Sequence, residues 1–497
     1  MSSAKQFSAP RLIGSLAIIS LALSGCAPLD EPSRNIEDNL SHQSKVGVQL
    51  FMWNWNSIAN ECPYLAEIGV DWLLTSPPQE HIQGDAWWTV YQPVSYKLDS
   101  KLGTSEEFEN MIEVCNQADV DVIVDAVINH MSASDAGVGF AGTTYEKYSY
   151  PGLYDRNSFH NCQLTTNNQI QDFNDVLQVR DCELLGLSDL DHGQQGVRDT
   201  VTGYLQSLLD IGVAGFRIDA AKHMSEPELR MIIERLPAET IVMHEVIPGG
   251  ALQPEQYTYT GDLAWEFEYA ENLDAFFEQG LISTAANQSR WDEYLRSVEA
   301  VAFVSNHDTE RNRSTLSFRE PILFELGTAT MLAEPYGYPK LYSSYAFEDF
   351  DYVPAESNGL VQNVDCKEGP ATTYITGDWL CQHRWSSTVG MIQFSIDVDR
   401  EPMLERKKDR KIYGFARGDT GYFLVNLRDE DYSDSIQTGL PEGLYCDYFS
   451  SGAQIREQQC QGRTYEIDSA GFLVTPVPGS SAVAITVKEK LSSGGGA

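Results

Sequence analysis

The sequence predicts an α/β fold: a (β/α)8 barrel with a small domain inserted after its third strand and a C-terminal antiparallel β-sandwich domain. Three observations predict it. Apolar, β-prone runs alternate with helix-period segments up to about residue 350, as βαβ units of a parallel sheet do. A long stretch rich in Gly, Asn, Tyr and Asp, Met131–Leu190, interrupts that alternation after the third run. Beyond about residue 400 the pattern changes to short strands divided by turns such as Arg417-Gly418-Asp419. A chain of 497 residues fits a barrel with additions, and its 42% hydrophobic content supplies a large core.

The elements follow in order. Lys5 and Arg11 precede an apolar run, Leu12–Leu23, too short to span a bilayer. It ends in Leu23-Ser24-Gly25-Cys26, which resembles a bacterial lipobox. That resemblance implies a signal peptide over 1–26, lipidation of Cys26, and, with Ala27 next, an outer-membrane address. An ordinary signal peptide cut nearby is the alternative; both export the protein. Residues 27–45 read as a tether, and 491–497 as a flexible tail. The barrel is expected over 46–130 and 191–400, the insert over 131–190 and the β domain over 401–490.

Barrel strands are expected at Val46–Trp53, Val70–Thr75, Val120–Val127, Val213–Ile218, Ile241–Val246, Leu263–Phe267, Ala300–Val304 and Lys340–Tyr345. Helices are expected at Glu106–Ala118 and Asp199–Ile211, whose apolar residues recur at helical spacing, and from Pro227 to Leu236. The β domain should contain Lys411–Ala416, Gly421–Val425 and Ser481–Val487.

The formal charge of −38 opposes contact with nucleic acid and anionic lipid. It suits a neutral substrate and cation binding, and a solubilising acidic surface accounts for most of it. Of nine cysteines, Cys26 aside, eight remain: Cys62, Cys115, Cys162, Cys182, Cys366, Cys381, Cys446 and Cys460. An even number in an exported chain predicts disulfides, with connectivity left open by the spacing. No C-x-x-C or Cys/His cluster suggests zinc.

Four segments carry the chemistry: Asp121–His130 (DVIVDAVINH), Gly215–His223 (GFRIDAAKH), Met243–Ile247 (MHEVI) and Phe303–Asp308 (FVSNHD). Each is an apolar run ending in polar or acidic groups. In a parallel barrel the C-terminal strand ends share one mouth, which would bring Asp219, Glu245 and Asp308 together. Converging carboxylates are what acid/base cleavage of a glycosidic bond requires.

These segments resemble the conserved regions of glycoside hydrolase family 13, the α-amylase family, and in particular its animal-type, chloride-dependent members. Ser76-Pro77-Pro78, Trp87-Trp88, Tyr91–Leu98, Val179–Cys182, Pro335–Gly337 and Gln437–Pro441 extend the resemblance from about Val46 to about Val487. It implies Asp219 as nucleophile, Glu245 as general acid and then base, and Asp308 as the group that orients the sugar and stabilises the transition state. It implies that Arg217 keeps Asp219 ionised, that His130 and His307 hydrogen-bond the sugar, and that Lys222 and His223 line the leaving-group side. Trp87, Trp88 and Tyr91 would form a stacking platform, with Gln92 adding a hydrogen bond. A calcium ion is implied on Asn129, Asp189 and the carbonyls of Arg180 and His223, oxygen donors that suit it. A chloride ion is implied on Arg217, Asn306 and Lys340; the animal pattern has Arg where this chain has Lys340, so binding should be weaker. The implied disulfides are Cys62–Cys115, Cys162–Cys182, Cys366–Cys381 and Cys446–Cys460. Where animal enzymes carry a Gly-rich loop after the last motif, this chain has the short polar run Thr309–Leu316.

The expected activity is retaining, endo-acting hydrolysis of internal α-1,4 bonds in starch, glycogen and maltooligosaccharides. The enzyme should be a monomer at the outer membrane or secreted. The rivals are an α-glucosidase or transglycosylase on the same barrel, and a starch-binding surface lipoprotein without catalysis.

Overall fold

The computed structural model describes residues 45–258, 261–279, 294–367, 369–371, 373–452 and 460–491. The expected signal peptide with Cys26, the tether as far as residue 44 and the tail from residue 492 lie outside these residues.

Eight parallel strands close a barrel: β1 Val46–Leu50, β2 Val70–Thr75, β3 Asp121–Ala126, β4 Gly215–Ile218, β5 Ile241–His244, β6 Leu263–Trp265, β7 Ala300–Phe303 and β8 Tyr338–Ser343. Each pairs with its neighbours in sequence, and β1 closes on β8 through Gly47 against Lys340. Strand alternation sorts the residues. Trp72, Ile123, Met243, Trp265, Val301 and Tyr338 belong to one buried apolar cluster at strand positions of a single parity. Two residues further along, the same parity brings Asp125, Arg217 and Lys340. An apolar floor is thus overlaid by a charged tier toward the C-terminal mouth. Gly47 admits the Trp72 ring, which any Cβ there would overlap.

The departures from expectation have local causes. β1 stops at Leu50 because Met52 takes a positive φ and Asn54 caps the helix Trp55–Ile68. The helix expected from Glu106 starts at Ser105, because Thr104 and Glu107 form a capping box. β8 begins two residues before Lys340 and takes in Pro339, which reads as a breaker in sequence yet pairs with Ala302. β6 ends at Trp265, since Phe267 opens the helix Phe267–Gln279. The helix around Pro227 spans Glu226–Ile233 and ends short of Leu236.

Between β3 and β4 the chain leaves and re-enters the barrel through an antiparallel pair, His130–Met131 with Ser188–Asp189. The excursion holds the hairpin Ala136–Val138/Thr144–Glu146 and the helix Val176–Asp181. Beyond the barrel, two four-stranded antiparallel sheets face each other. One runs β9 Met403–Lys408, β10 Ile412–Arg417, β11 Gly421–Asn426 and β16 Ser481–Thr486. The other contains β12 Ile436–Gln437, β13 Gly443–Cys446, β14 Thr464–Ile467 and β15 Phe472–Leu473, in the order β12-β15-β14-β13. Ile412, Tyr422, Leu424, Val483 and Ile485 fill the space shared with Tyr445, Tyr465 and Ile467. Their alternates, Tyr413, Phe415, Phe423 and Ala484, join the barrel's core. The pairs Cys62–Cys115, Cys162–Cys182, Cys366–Cys381 and Cys446–Cys460 are all bonded. Among the described residues no helix is long and apolar enough to cross a membrane.

Candidate active site

The charged tier opens into a cleft at the C-terminal strand ends. Asp219 follows β4 and Glu245 follows β5; both carboxyl groups are buried at its floor. Asp308, beyond β7, keeps 38% of its side chain open. Trp87, Trp88, Tyr91, Gln92, His130, Lys222, His223 and His307 line the same cleft. Residues far apart in sequence are therefore brought to one concave surface.

Arg217 lies beneath the floor, fully buried. Its Nη1 donates to Asp125 Oδ1 at 2.6 Å and to Asp219 Oδ1 at 2.7 Å. Its Nη2 makes a charge contact with Glu245 Oε1 at 2.5 Å, without the alignment of a hydrogen bond. One cation thus serves three carboxylates. Burial raises all three carboxyls above their ordinary values, and Arg217 offsets only part of that rise. Asp219 holds a direct guanidinium hydrogen bond, which favours its charged form. Glu245 accepts from the Ala220 backbone N–H at 2.9 Å, and the charge of Asp219 adds to burial in favouring its proton. Burial and then Glu245 push Asp308 up to about 7.

Asp125 was not singled out in the sequence. It accepts from Tyr91 Oη at 2.8 Å as well as from Arg217, linking the cleft wall to the buried cation. Burial pushes it up to about 7. The available signal was a lone acid inside the apolar run VIVDAV: a carboxylate in a parallel strand buried on both faces needs a partner.

The walls are firmly held. His307 is stacked between Phe51 and Tyr91, with centroids 4.8 and 5.1 Å away. Its Nδ1 is 3.2 Å from Gln49 Nε2, and its Nε2 is 3.3 Å from Asp308 Oδ2. His130 places Nε2 against the Tyr91 carbonyl at 3.0 Å and Nδ1 against Asn129 Nδ2 at 3.2 Å. Every nitrogen of these two rings has a protein partner, so a sugar hydroxyl would have to share or displace one. Trp87 is mostly buried and donates Nε1 to the Phe350 carbonyl at 2.8 Å. Trp88 is more open and donates to Asp351 Oδ1 at 2.9 Å. Gln92 accepts from the Ala133 N–H at 3.0 Å. Lys222 Nζ donates to the carbonyls of Ile247 and Gly249, each at 2.8 Å. Leu185, Phe173 and Ile247 add an exposed apolar rim that sequence reasoning missed.

Among the described residues, two places hold buried side-chain atoms without hydrogen-bond partners. Asn129 Oδ1 has no hydrogen bond. Asp189, paired in register with His130, gives one oxygen to His160 Nδ1 at 2.6 Å. His223 Nδ1 meets the Val179 carbonyl at 2.9 Å, which docks the segment carrying Arg180 beside His223. An amide oxygen, a carboxylate and main-chain carbonyls are donors of the kind a hard cation takes. The second place holds hydrogen-bond donors: Arg217 Nε and Nη2 and Asn306 Nδ2 are buried without hydrogen-bond partners. Lys340 Nζ and the Arg217 guanidinium lie 4.6 and 4.8 Å from the same Trp265 ring. Lys340 is bonded to Gln49 Oε1 at 3.0 Å and the Ser305 carbonyl at 3.4 Å, and among the described residues no acid pairs with it. The buried Arg217 guanidinium, the Lys340 amine and an amide N–H without a partner are donors of the kind an anion takes.

A family model described as alpha amylase, catalytic domain, matches residues 52–248; one described as alpha amylase, C-terminal all-beta domain, matches residues 405–488. An alpha-amylase of Thermomonospora curvata is 36% identical over 505 residues, covering 97% of this chain and 80% of that protein. An alpha-amylase-related protein of Drosophila varians is 35% identical over 451 residues, covering 86% and 89%. The crystal structure of alpha-amylase I from Eisenia fetida aligns with a TM-score of 0.81 at 30% identity, covering 89% of this chain and 97% of that one. A Glu-to-Gln variant of the same Eisenia fetida protein, solved as a complex with maltohexaose, aligns equally well.

Proposed function

Because the chain belongs to the α-amylase family and is a glycoside hydrolase, we propose that it cleaves internal α-1,4 bonds of starch, glycogen and maltooligosaccharides with retention of configuration. The observation that carries this reading is the placement of Asp219 and Glu245 on opposite nitrogens of one buried guanidinium, at the floor of an aromatic-walled cleft.

Asp219, held as carboxylate by Arg217, attacks the anomeric carbon as the glycosidic C–O bond breaks. Glu245 gives its proton to the departing oxygen. Glu245, now a carboxylate, takes a proton from water, which attacks the same carbon and releases Asp219. Two displacements on one carbon restore its configuration. Asp308 supplies negative charge near the oxocarbenium-like ring, and its open edge accepts from sugar hydroxyls. A positioned acid of this kind contributes roughly 10²–10⁴-fold.

Asn129, Asp189 and the carbonyls of Arg180 and His223 would hold calcium, which would fasten the inserted segment beside the cleft. Arg217, Asn306 and Lys340 would hold chloride, whose negative potential would favour the protonated form of Glu245. In this reading the enzyme acts as a monomer outside the cytoplasm, anchored through a lipidated Cys26; Cys26→Ser should release it from membranes into the medium, measured by fractionation.

The decisive experiment is product analysis on soluble starch, with and without chloride and calcium. Maltooligosaccharides should dominate early. Glucose as the main product from the start would favour an α-glucosidase, and starch binding without new reducing ends would favour a binding protein. Glu245→Gln should lose activity by at least about 10²-fold with an unchanged circular dichroism spectrum.

A further inference from the structure

Arg311 is a buried cation that the chemistry above leaves unused. It lies in the four-residue helix Thr309–Asn312, directly after Asp308, and is 6% exposed. Among the described residues no carboxylate lies within ion-pair distance of it. Its neighbour Glu310 accepts from Tyr342 Oη and Ser344 Oγ, each at 3.1 Å. The Arg311 guanidinium is instead surrounded by aromatic rings: Phe347 at 4.3 Å, Trp87 at 4.6 Å, Phe51 at 5.1 Å and Tyr345 at 5.5 Å. Nη1 donates to the His307 carbonyl at 3.0 Å and Nη2 to Tyr345 Oη at 2.7 Å.

The caged rings are the backing of the cleft. Phe51 stacks on His307, His307 on Tyr91, and Trp87 meets His307 edge-on at 5.5 Å. Tyr91 continues through Asp125 to Arg217 and thus to Asp219 and Glu245. Arg311 lies behind this wall, outside the set of cleft-lining residues.

We propose that Arg311 is a positioning residue of the cleavage site: its planar fork clamps the His307 main chain and spreads its charge over Trp87 and Phe51, fixing the wall against which the scissile sugar is set. Only a planar, delocalised cation can donate to two oxygens while lying against several rings, and a desolvated site strengthens those contacts. A point charge on a lysine stem would keep the charge and lose the clamp. The proposal rests on the hydrolytic reading above.

The test compares the wild type with Arg311→Met and Arg311→Lys on maltoheptaose, with rates per properly folded enzyme and melting temperatures recorded separately. Arg311→Met should lower kcat roughly 10- to 100-fold, the scale set by small misplacements of reacting groups, with KM little changed. Arg311→Lys should recover part of that loss. An unchanged kcat in Arg311→Met, whatever its melting temperature, would overturn the proposal. If the Met variant does not fold, the Lys variant decides: wild-type kcat overturns the proposal, and reduced kcat at unchanged KM supports it. A wild-type protein that leaves maltoheptaose uncut would count against the hydrolytic reading instead.

Discussion

Arg217 contacts Asp125, Asp219 and Glu245 with a single positive charge, so the three cannot be tuned one at a time. Lys340, against the same Trp265 ring as Arg217, offers a second lever. Its ammonium loses favour through burial and then through Arg217, a repulsion that a bound anion would relieve. Removing chloride should take away negative potential beside Glu245 and lower its pKa. The acid then loses its proton at a lower pH, and the alkaline limb of the rate profile moves down. A profile in chloride-free buffer that superposes on the original would refute the anion site. Lys340→Arg should bring half-activation to a lower chloride concentration, read from a chloride titration of activity, because a fork offers two donors where an ammonium is a point charge. That Asp219, Glu245 and Asp308 meet in one cleft was legible in sequence, because each ends an apolar run in a matched motif. Asp125 and Arg311 were not: their meaning lies in partners 92 residues away for Asp125, and in rings from three separate segments for Arg311.

Elements were legible where period and breaker agreed, and blurred where capping or pairing decided. Pro339 lies within β8 because its neighbours supply the register, and no propensity rule reveals that. The closure of the helical ring was also hidden. Glu61, on the first barrel helix, receives His383 Nε2 at 2.8 Å and Arg384 Nε at 2.6 Å from the short turn Gln382–Arg384, ahead of the helix Ser386–Asp397. Burial alone would raise its pKa; those two partners outweigh it and hold Glu61 at about 2, against an ordinary 4.5. A depressed carboxyl contributes stability above its unfolded pKa and loses it as pH falls through the folded one. Glu61→Gln should therefore cost roughly 3 kcal/mol near pH 7. That cost should fade between about pH 4.5 and pH 2, as measured by urea unfolding of both proteins across this window. A constant difference down to the lower pH would contradict this account.

At the scale of the whole molecule, barrel and sandwich share one core. Glu334 accepts from Tyr269 Oη at 2.7 Å on the barrel side and from Tyr413 Oη at 2.8 Å on the sandwich side. Arg417 of β10 donates Nη1 to the Ala333 carbonyl at 2.7 Å. Gly390, on the helix Ser386–Asp397, lets the short helix Tyr448–Ser451 lie directly against it, where any Cβ would overlap the Tyr448 carbonyl. Gly390→Ala should destabilise the protein by about 1–3 kcal/mol, and differential scanning calorimetry should show it. The order of layers was readable from the shift in strand pattern near residue 400. The seam was not, since a glycine inside a helix reads only as a weak helix former.

The four disulfides carry one more consequence. Their loops, 62–115, 162–182, 366–381 and 446–460, neither overlap nor nest. Each cysteine among these eight is joined to its immediate neighbour in the series, so no bridge spans another. Cys26 alone breaks that parity: left as a free thiol at the head of the queue, it would shift every partner by one place. Were Cys26 capped or cut away before the others emerge, joining neighbours in order would give the four bridges seen.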